Sequence, residues 1–408
     1  MTSRPFVVLF CAVAVATMGI SMVSPILPVY AEELGATGIW TGLTFSIFAV
    51  TQTIISPFAG RWSDRYGRKP FIILGLLFYF VAAFGYLTAE TFVQVLAFRA
   101  LSGCGTSLIF SVARAYIGDM VPSGTEGRWF GVFAVADIVG FGIGPIFSGA
   151  LRDSFGFGSV FIGMAILMGS SAAIVAVLLP RHPAQDRLSR LAEPSWGFVQ
   201  ALHDRLVLGL TVLMGLTSLT FGAVFSFLSI RLEHLGAAGL AVGIAFASES
   251  FASAASQPLF GPLVDRHDRR VIVIAGLVGS AAGLAALGAA GAYWLIVVLM
   301  VVLGIGQAAT MVAVAAMQVV AGRRAGMGTV IGLGSAGNGV GIVVGSVVGG
   351  ALVEVFGLGA PFYFGAAAML LGAAHVAWLL RNVPTRETLE VILGGDEASD
   401  PELVTPGS

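Results

Sequence analysis

Long apolar runs separated by short polar punctuation dominate this chain. A helix needs about 20 residues to cross the hydrocarbon core of a bilayer. Twelve runs approach or exceed that length: 6–30, 38–59, 71–89, 92–117, 128–151 and 156–179, then 205–230, 239–260, 271–291, 293–320, 327–353 and 360–380. The pattern predicts an all-α integral membrane protein with twelve transmembrane helices in two six-helix bundles, 1–180 and 205–380. Between them, 181–204 carries Arg181, Asp186, Arg187, Arg190 and Glu193 and reads as a cytoplasmic linker with room for a short surface helix. From Arg381 to Ser408 the chain turns polar and acidic, which predicts a solvated cytoplasmic tail. The first run is longer than a signal-peptide core and has no clear cleavage site, so it is expected to be a retained span.

Composition fixes the solvent. Of 408 residues, 57% are hydrophobic and only 11% charged, against about 25% charged in a soluble domain. Such a chain cannot hydrate its own surface, and lipid must surround most of it. Cys11 and Cys104 lie in apolar runs without metal-ligand spacing and read as small core residues. There is no nucleophile-base constellation, no H-E-x-x-H and no G-x-x-x-x-G-K-[ST] loop. The sequence therefore predicts no enzyme, no metal, no cofactor and no ATP-driven pump. Placing both termini inside puts eighteen of the 21 Lys and Arg residues on the cytoplasmic side, with Arg152 and Arg231 outside and Arg99 within the membrane. The opposite orientation inverts the positive-inside bias and is rejected.

The two halves repeat at a constant offset of 201 residues. Pro57 and Gly60 recur as Pro258 and Gly261, Asp64-Arg65 as Asp265-Arg266, and Gly103 and Gly105 as Gly304 and Gly306. Gly140, Gly144 and Gly149 recur as Gly341, Gly345 and Gly350. A parallel duplication of six spans is a plan used by alternating-access transporters, with the substrate site near the midplane between the repeats.

The densest charge cluster is Gly60-Arg-Trp-Ser-Asp64-Arg65-Tyr-Gly67-Arg68-Lys69-Pro70, read as a polar loop turning at Gly60 and Gly67. Its G-x-x-x-D-R-x-G-R-K pattern resembles the signature loop between the second and third spans of the major facilitator superfamily. Arg99-Ala-Leu-Ser-Gly103-Cys-Gly105 is similar to that family's R-x-x-x-G-x-G element in the fourth span. Gly140-Phe-Gly142-Ile-Gly144-Pro145-Ile-Phe-Ser-Gly149 resembles the "antiporter" motif of its drug:proton antiporter branch. Asp119, Pro122 and Arg128 cross from the fourth to the fifth span, where the resemblance implies a cytoplasmic latch. It implies that Arg68 pairs with Asp119 and that Asp64 meets the start of the eleventh span. Such a latch is expected to hold the outward-open state. Gly140 and Gly144 form a G-x-x-x-G face for close helix approach, and Pro145 removes a backbone donor and is expected to bend the fifth span.

Ionisable groups inside a membrane are costly and are functional candidates by default. Asp137 and Glu249 fall near mid-depth of the fifth and eighth spans and are candidates to bind and release a proton. Glu249 is favoured, because Asp137 matches Asn338 in the second repeat whereas Glu249 matches Phe48. Arg99 stays charged and is expected to steer a buried acid or bond backbone carbonyls. One departure from the antiporter branch is the first span, where Met18-Gly-Ile-Ser-Met22-Val-Ser-Pro25 contains no acid.

By the same resemblance, Met18, Met22, Phe110, Phe221, Phe225, Met311 and Asn338 lie on cavity-lining spans. That apolar mixture suits a lipophilic or amphipathic compound better than a sugar or amino acid. The expected function is proton-coupled efflux of such molecules across the plasma membrane by a monomer, with no nucleic-acid partner. The alternative is a carrier of the same fold for a sugar, siderophore or other metabolite.

Overall fold

In the computed structural model, residues 4–120, 126–180 and 197–379 are described, and all regular structure among them is helical. The first span is Arg4–Val23 continued by Leu27–Glu33, interrupted around Pro25, which has no N–H to give the helix. The next five are Gly38–Tyr66, Arg68–Leu87, Phe92–Met120, Glu126–Phe155 and Phe157–Leu178. A short helix, Phe198–His203, precedes the seventh span, Arg205–His234. Gly239–Arg266, Arg269–Ala289, Tyr293–Ala325, Met327–Phe356 and Ala360–Leu379 follow as spans eight to twelve.

Eleven of these twelve spans are both long and apolar enough to cross a membrane. The exception is the eighth, whose 28 residues include Glu249 and the serines at 248, 250, 253 and 256. A polar stripe of this kind survives in a membrane only where it faces protein or water.

One expectation is corrected at the signature sequence. Residues 60–66 are not a loop: the second helix runs through Gly60, Asp64 and Arg65 to Tyr66, and only Gly67 breaks it. Gly67 has φ 91°, a conformation open to glycine because a Cβ would clash with its own backbone. The third helix then starts at Arg68. Extending the helix keeps the backbone donors and acceptors bonded while the charged side chains reach water. The fifth helix is continuous through Pro145. Residues 181–196 of the expected linker and the whole expected tail, 381–408, lie outside the described residues, as do residue 380 and Pro122.

A large apolar core is drawn from the first six spans, around Tyr79, Tyr86, Tyr116 and Phe161. Two further cores come from spans seven to twelve and the short helix before them, one around Val273 and Leu277, the other around Leu284 and Phe246. Contact between the first and second halves of the sequence runs mainly along two pairs of helices, the second with the eleventh and the fifth with the eighth, with smaller contacts of the seventh span on the second and on Leu27–Glu33. Both contacts are made by small residues. A Cβ on Gly42 would overlap the Ser346 carbonyl, and one on Gly38 that of Gly350; one on Gly243 would overlap the Pro145 carbonyl, and one on Gly149 that of Gly239. These positions lie at the end opposite Gly67. At the cation-rich end, by contrast, a Cβ on Gly60 or Gly328 would meet open space. Met327, at the start of the eleventh helix, is exposed.

Candidate functional site: interior acids between closely packed helices

Asp137 faces the first span, where Thr17 Oγ1 donates to its Oδ1 at 3.1 Å. One turn further along, Ser21 Oγ donates to the Gly140 carbonyl at 2.8 Å. Gly140 and Gly144 permit this approach: a Cβ on either would run into Thr17, Met18 or Ser21. The partner of the G-x-x-x-G face is thus the first span, and its echo at Gly341 and Gly345 packs against Gly215 and Leu219 of the seventh. The symmetry extends to the polar pair. Asn338, at the position equivalent to Asp137, donates from Nδ2 to Ser218 Oγ at 2.6 Å, and Ser218 is the counterpart of Thr17. The two repeats thus tie equivalent helices together at equivalent depth, one with a carboxylate and one with an amide.

Glu249 has no such cross-helix tie among the described residues. Among the described residues its hydrogen-bond partner is its neighbour Ser250, whose Oγ donates to Oε2 at 3.3 Å. Its backbone carbonyl lies against Gly304 of the tenth span, where a side chain would collide with it. Phe225 and Phe246 tilt together on adjoining helices at 4.9 Å between ring centroids.

Arg99, only 2% exposed, bonds a carbonyl: Nε donates to the Thr44 carbonyl at 3.2 Å. Its guanidinium lies over the rings of Phe45 and Phe48, 5.1 and 4.4 Å from their centroids. The cation is therefore held by a backbone dipole and two aromatic faces rather than by an acid. Arg114 has a role that sequence reasoning missed. It is the charged neighbour of Asp137 and lies on the fourth span, one turn past a π-helical stretch at Ser107–Ser111. A cation inside the apolar run 92–117 was the available signal; the π-helical turn leaves none, because apolar periodicity does not report hydrogen-bond register. Such turns are frequent at functional sites.

At the cation-rich end Arg68 is buried and clamped. Its Nε donates to Asp119 Oδ2 at 3.0 Å, Nη1 to Ser63 Oγ at 2.7 Å, and Nη2 pairs with Asp64 Oδ1. Among the described residues Asp64 therefore binds Arg68 at the end of its own helix, not the start of the eleventh span that it was expected to meet. Gly60 on the second helix and Gly328 near the start of the eleventh both face open space here. Arg65 lies over the Tyr66 ring. The side chain of Arg128 lies outside the described residues.

The expected lining residues divide. Phe221 and Phe225 stack at 3.9 Å between centroids, both half-buried, as is Met18, while Met311 is 59% exposed. Phe110 packs against the core of the first six spans. Met22 is corrected: at 1% exposed it sits with Ile26 and Val160 inside helix packing and offers no surface to a ligand. Gly19, one turn before it, abuts the Met168 side chain, and the Met22 Cε lies beside Gly163, so this face of the first span packs on the sixth.

Duplicated six-span halves that meet through glycine seams from one end to mid-depth, with acids in their interior, fit a membrane carrier of the alternating-access class. The model of the Major Facilitator Superfamily matches residues 9–230 and again 210–397. The chain belongs to the Major Facilitator Superfamily. It is 27% identical over 372 residues to "Multidrug resistance protein 1" of Bacillus subtilis, covering 89% of this chain and 93% of that one. It is 29% identical over 385 residues to "Multidrug resistance protein MdtG" of Citrobacter koseri, covering 90% and 92%. Its fold is that of a bacterial homologue of the human lysosomal transporter Spinster, solved inward-facing and unoccupied, with TM-score 0.70 at 15% identity over 93% of this chain and 96% of that one.

Proposed function

We propose that this protein is a proton-coupled exporter of lipophilic or amphipathic small molecules that works by alternating access and performs no chemistry on its cargo. In this reading it acts as a monomer, and both termini and the cation-rich end are cytoplasmic, in keeping with the positive-inside bias. The bundles 1–180 and 205–380 rock about the two small-residue seams, with 181–204 as the tether. The observation that carries the reading is the arrangement of those seams: glycine backbones in contact at the outer end, and open space beside Gly60 and Gly328 at the inner end. That is an inward-open carrier, accessible to molecules in the cytoplasm or inner leaflet.

The names of the relatives support a multidrug cargo, and the half-buried stack of Phe221 and Phe225 supports an apolar one. Glu249 and Asp137 are the coupling acids in this proposal. A carboxylate charge is costly inside a membrane, so proton gain and loss there bias the two conformations differently, which is what coupling requires. Glu249, whose partner among the described residues is one serine on its own helix, is the primary carrier; Asp137, tied to Thr17 and neighboured by Arg114, is the secondary one. Clamped by Asp64 and Asp119, Arg68 holds the inner latch in readiness.

Proton flux from proteoliposomes under a panel of lipophilic cations, sugars and siderophores tests the proposal. Proton movement opposite to that of a lipophilic compound, dependent on Glu249, is expected. Flux with a sugar or siderophore only, or substrate flux without protons, overturns it.

A further inference from the structure

We propose that Asp153 and Glu354 are gate residues of the outer face, two copies of one device that hold this conformation shut and must both release before cargo can leave. The proposal rests on the alternating-access reading above. Asp153 ends the fifth span in the first half of the chain. Its Oδ1 and Oδ2 accept from the backbone N–H groups of Gly239 and Leu240, at 2.7 and 2.8 Å, at the start of the eighth span in the second half. Glu354 ends the eleventh span. Its Oε1 accepts from Thr37 Oγ1 at 2.8 Å and from the N–H of Ile39 at 3.2 Å, at the start of the second span. Asp153 and Glu354 are equivalent under the 201-residue repeat, and so are Ile39 and Leu240.

Each carboxylate thus caps the first turn of a helix that belongs to the other half. The leading N–H groups of a helix have no partner within it, and its N-terminus favours negative charge. In this seam the cap exists only while the outer ends are together, since separating the halves returns both carboxylate and amides to water. Behind each cap the same small-residue contact recurs, Gly38 on Gly350 and Gly239 on Gly149. Arg152 adds a two-pronged ion pair to Glu233 beside the Asp153 cap, and Phe157 stacks on its guanidinium at 4.3 Å. Both capping acids stand at exposed positions. Water competes for such contacts, so each holds weakly and the pair suits a gate that opens in every cycle.

Neither acid drew attention in the sequence, because each sits at the end of an apolar run where charge is ordinary. Their alignment by the repeat, together with the helix starts they cap, is the second and independent sign of a shared role.

The test measures distance across the outer face and needs neither cargo nor a pH gradient. Spin labels at Glu90 and Gly291, exposed repeat-equivalent positions on opposite halves, report outward opening by pulsed electron resonance in a background with Cys11 and Cys104 replaced. A Cβ at Gly291 meets open space, so the label is tolerated there. Asp153→Ala and Glu354→Ala should each raise the long-distance population about fivefold, and the double variant more than either. Asp153→Glu, which keeps the carboxylate, should stay near the parent distribution. If the alanine variants fail to insert, Asp153→Asn with Glu354→Gln removes only the charge and should shift the distribution in the same direction. A double variant with the parent distribution overturns the proposal, whatever the transport assay reports.

Discussion

At the residue scale the informative comparison is between two hydrogen bonds that the duplication makes equivalent. Thr17 to Asp137 and Asn338 to Ser218 do the same packing work, one with an acid and one with an amide. Asp137→Asn should therefore fold normally and keep the first and fifth spans tied. A loss of coupled transport of several-fold, measured as cargo accumulation per unit pH gradient in vesicles, is expected. Glu249 has Phe48 as its counterpart, so the architecture does not call for a polar group there. Glu249→Gln mimics the neutral form. It should abolish gradient-driven transport while substrate exchange across the membrane continues. Uphill pumping by Glu249→Gln together with its loss in Asp137→Asn would exchange the two roles.

At the scale of elements, glycine decides which helices meet. Gly144 lies where a side chain would strike Ser21 and the Met18 carbonyl, so Gly144→Leu must push the fifth span off the first. Overpacking of this kind costs about 1–3 kcal/mol. A lower unfolding temperature in detergent is expected, with loss of coupled transport. Gly345→Leu, which would strike Leu219 in the second half, should behave alike. Equal stability of Gly144→Leu and the parent would mean that the fifth helix has freedom to move that the observed packing denies it. The eighth span teaches the complementary lesson. Its serines and Glu249 lower its apolarity, yet its helix is intact over 28 residues with Ser248, Glu249 and Ser250 half-buried and Ser253 and Ser256 buried.

At the scale of the whole molecule, the cation-rich end keeps Arg68 bonded to Asp119 within the first half of the chain. Asp64 and Arg68 are paired at the junction of the second and third helices, and Gly60 faces open space. A residue that meets nothing here can still be needed where the inner ends close. Gly60→Leu is expected to fold with unchanged thermal stability, because its side chain finds room in this state, yet to lose transport by about tenfold or more as the closed inner state is excluded. Asp64→Asn, which removes the charge without the size, should likewise spare insertion and cut transport severely. Normal transport by both variants would reduce this junction to a topology signal.

The apolar runs determined the spans, because a backbone in hydrocarbon must satisfy its own hydrogen bonds and helices of membrane length are the economical way to do so. The 201-residue repeat determined that the two halves share one plan, since similar patterns in the same solvent fold alike. The positions of Asp137, Glu249 and Arg99 inside the membrane were legible for the same reason: charge in an apolar run stands out. What the tertiary structure alone decided is which partner each of these groups meets. Arg99 takes a carbonyl and two rings, Asp64 takes Arg68 on the next helix, and Met22 turns into the packing. The contacts that Asp153 and Glu354 make between the halves were likewise hidden, since they join residues 86 and 315 positions apart. Such pairings depend on how helices rotate and lean against one another and on which end is closed. Those are properties of the assembled bundle in one conformation, and the order of residues along a single helix does not contain them.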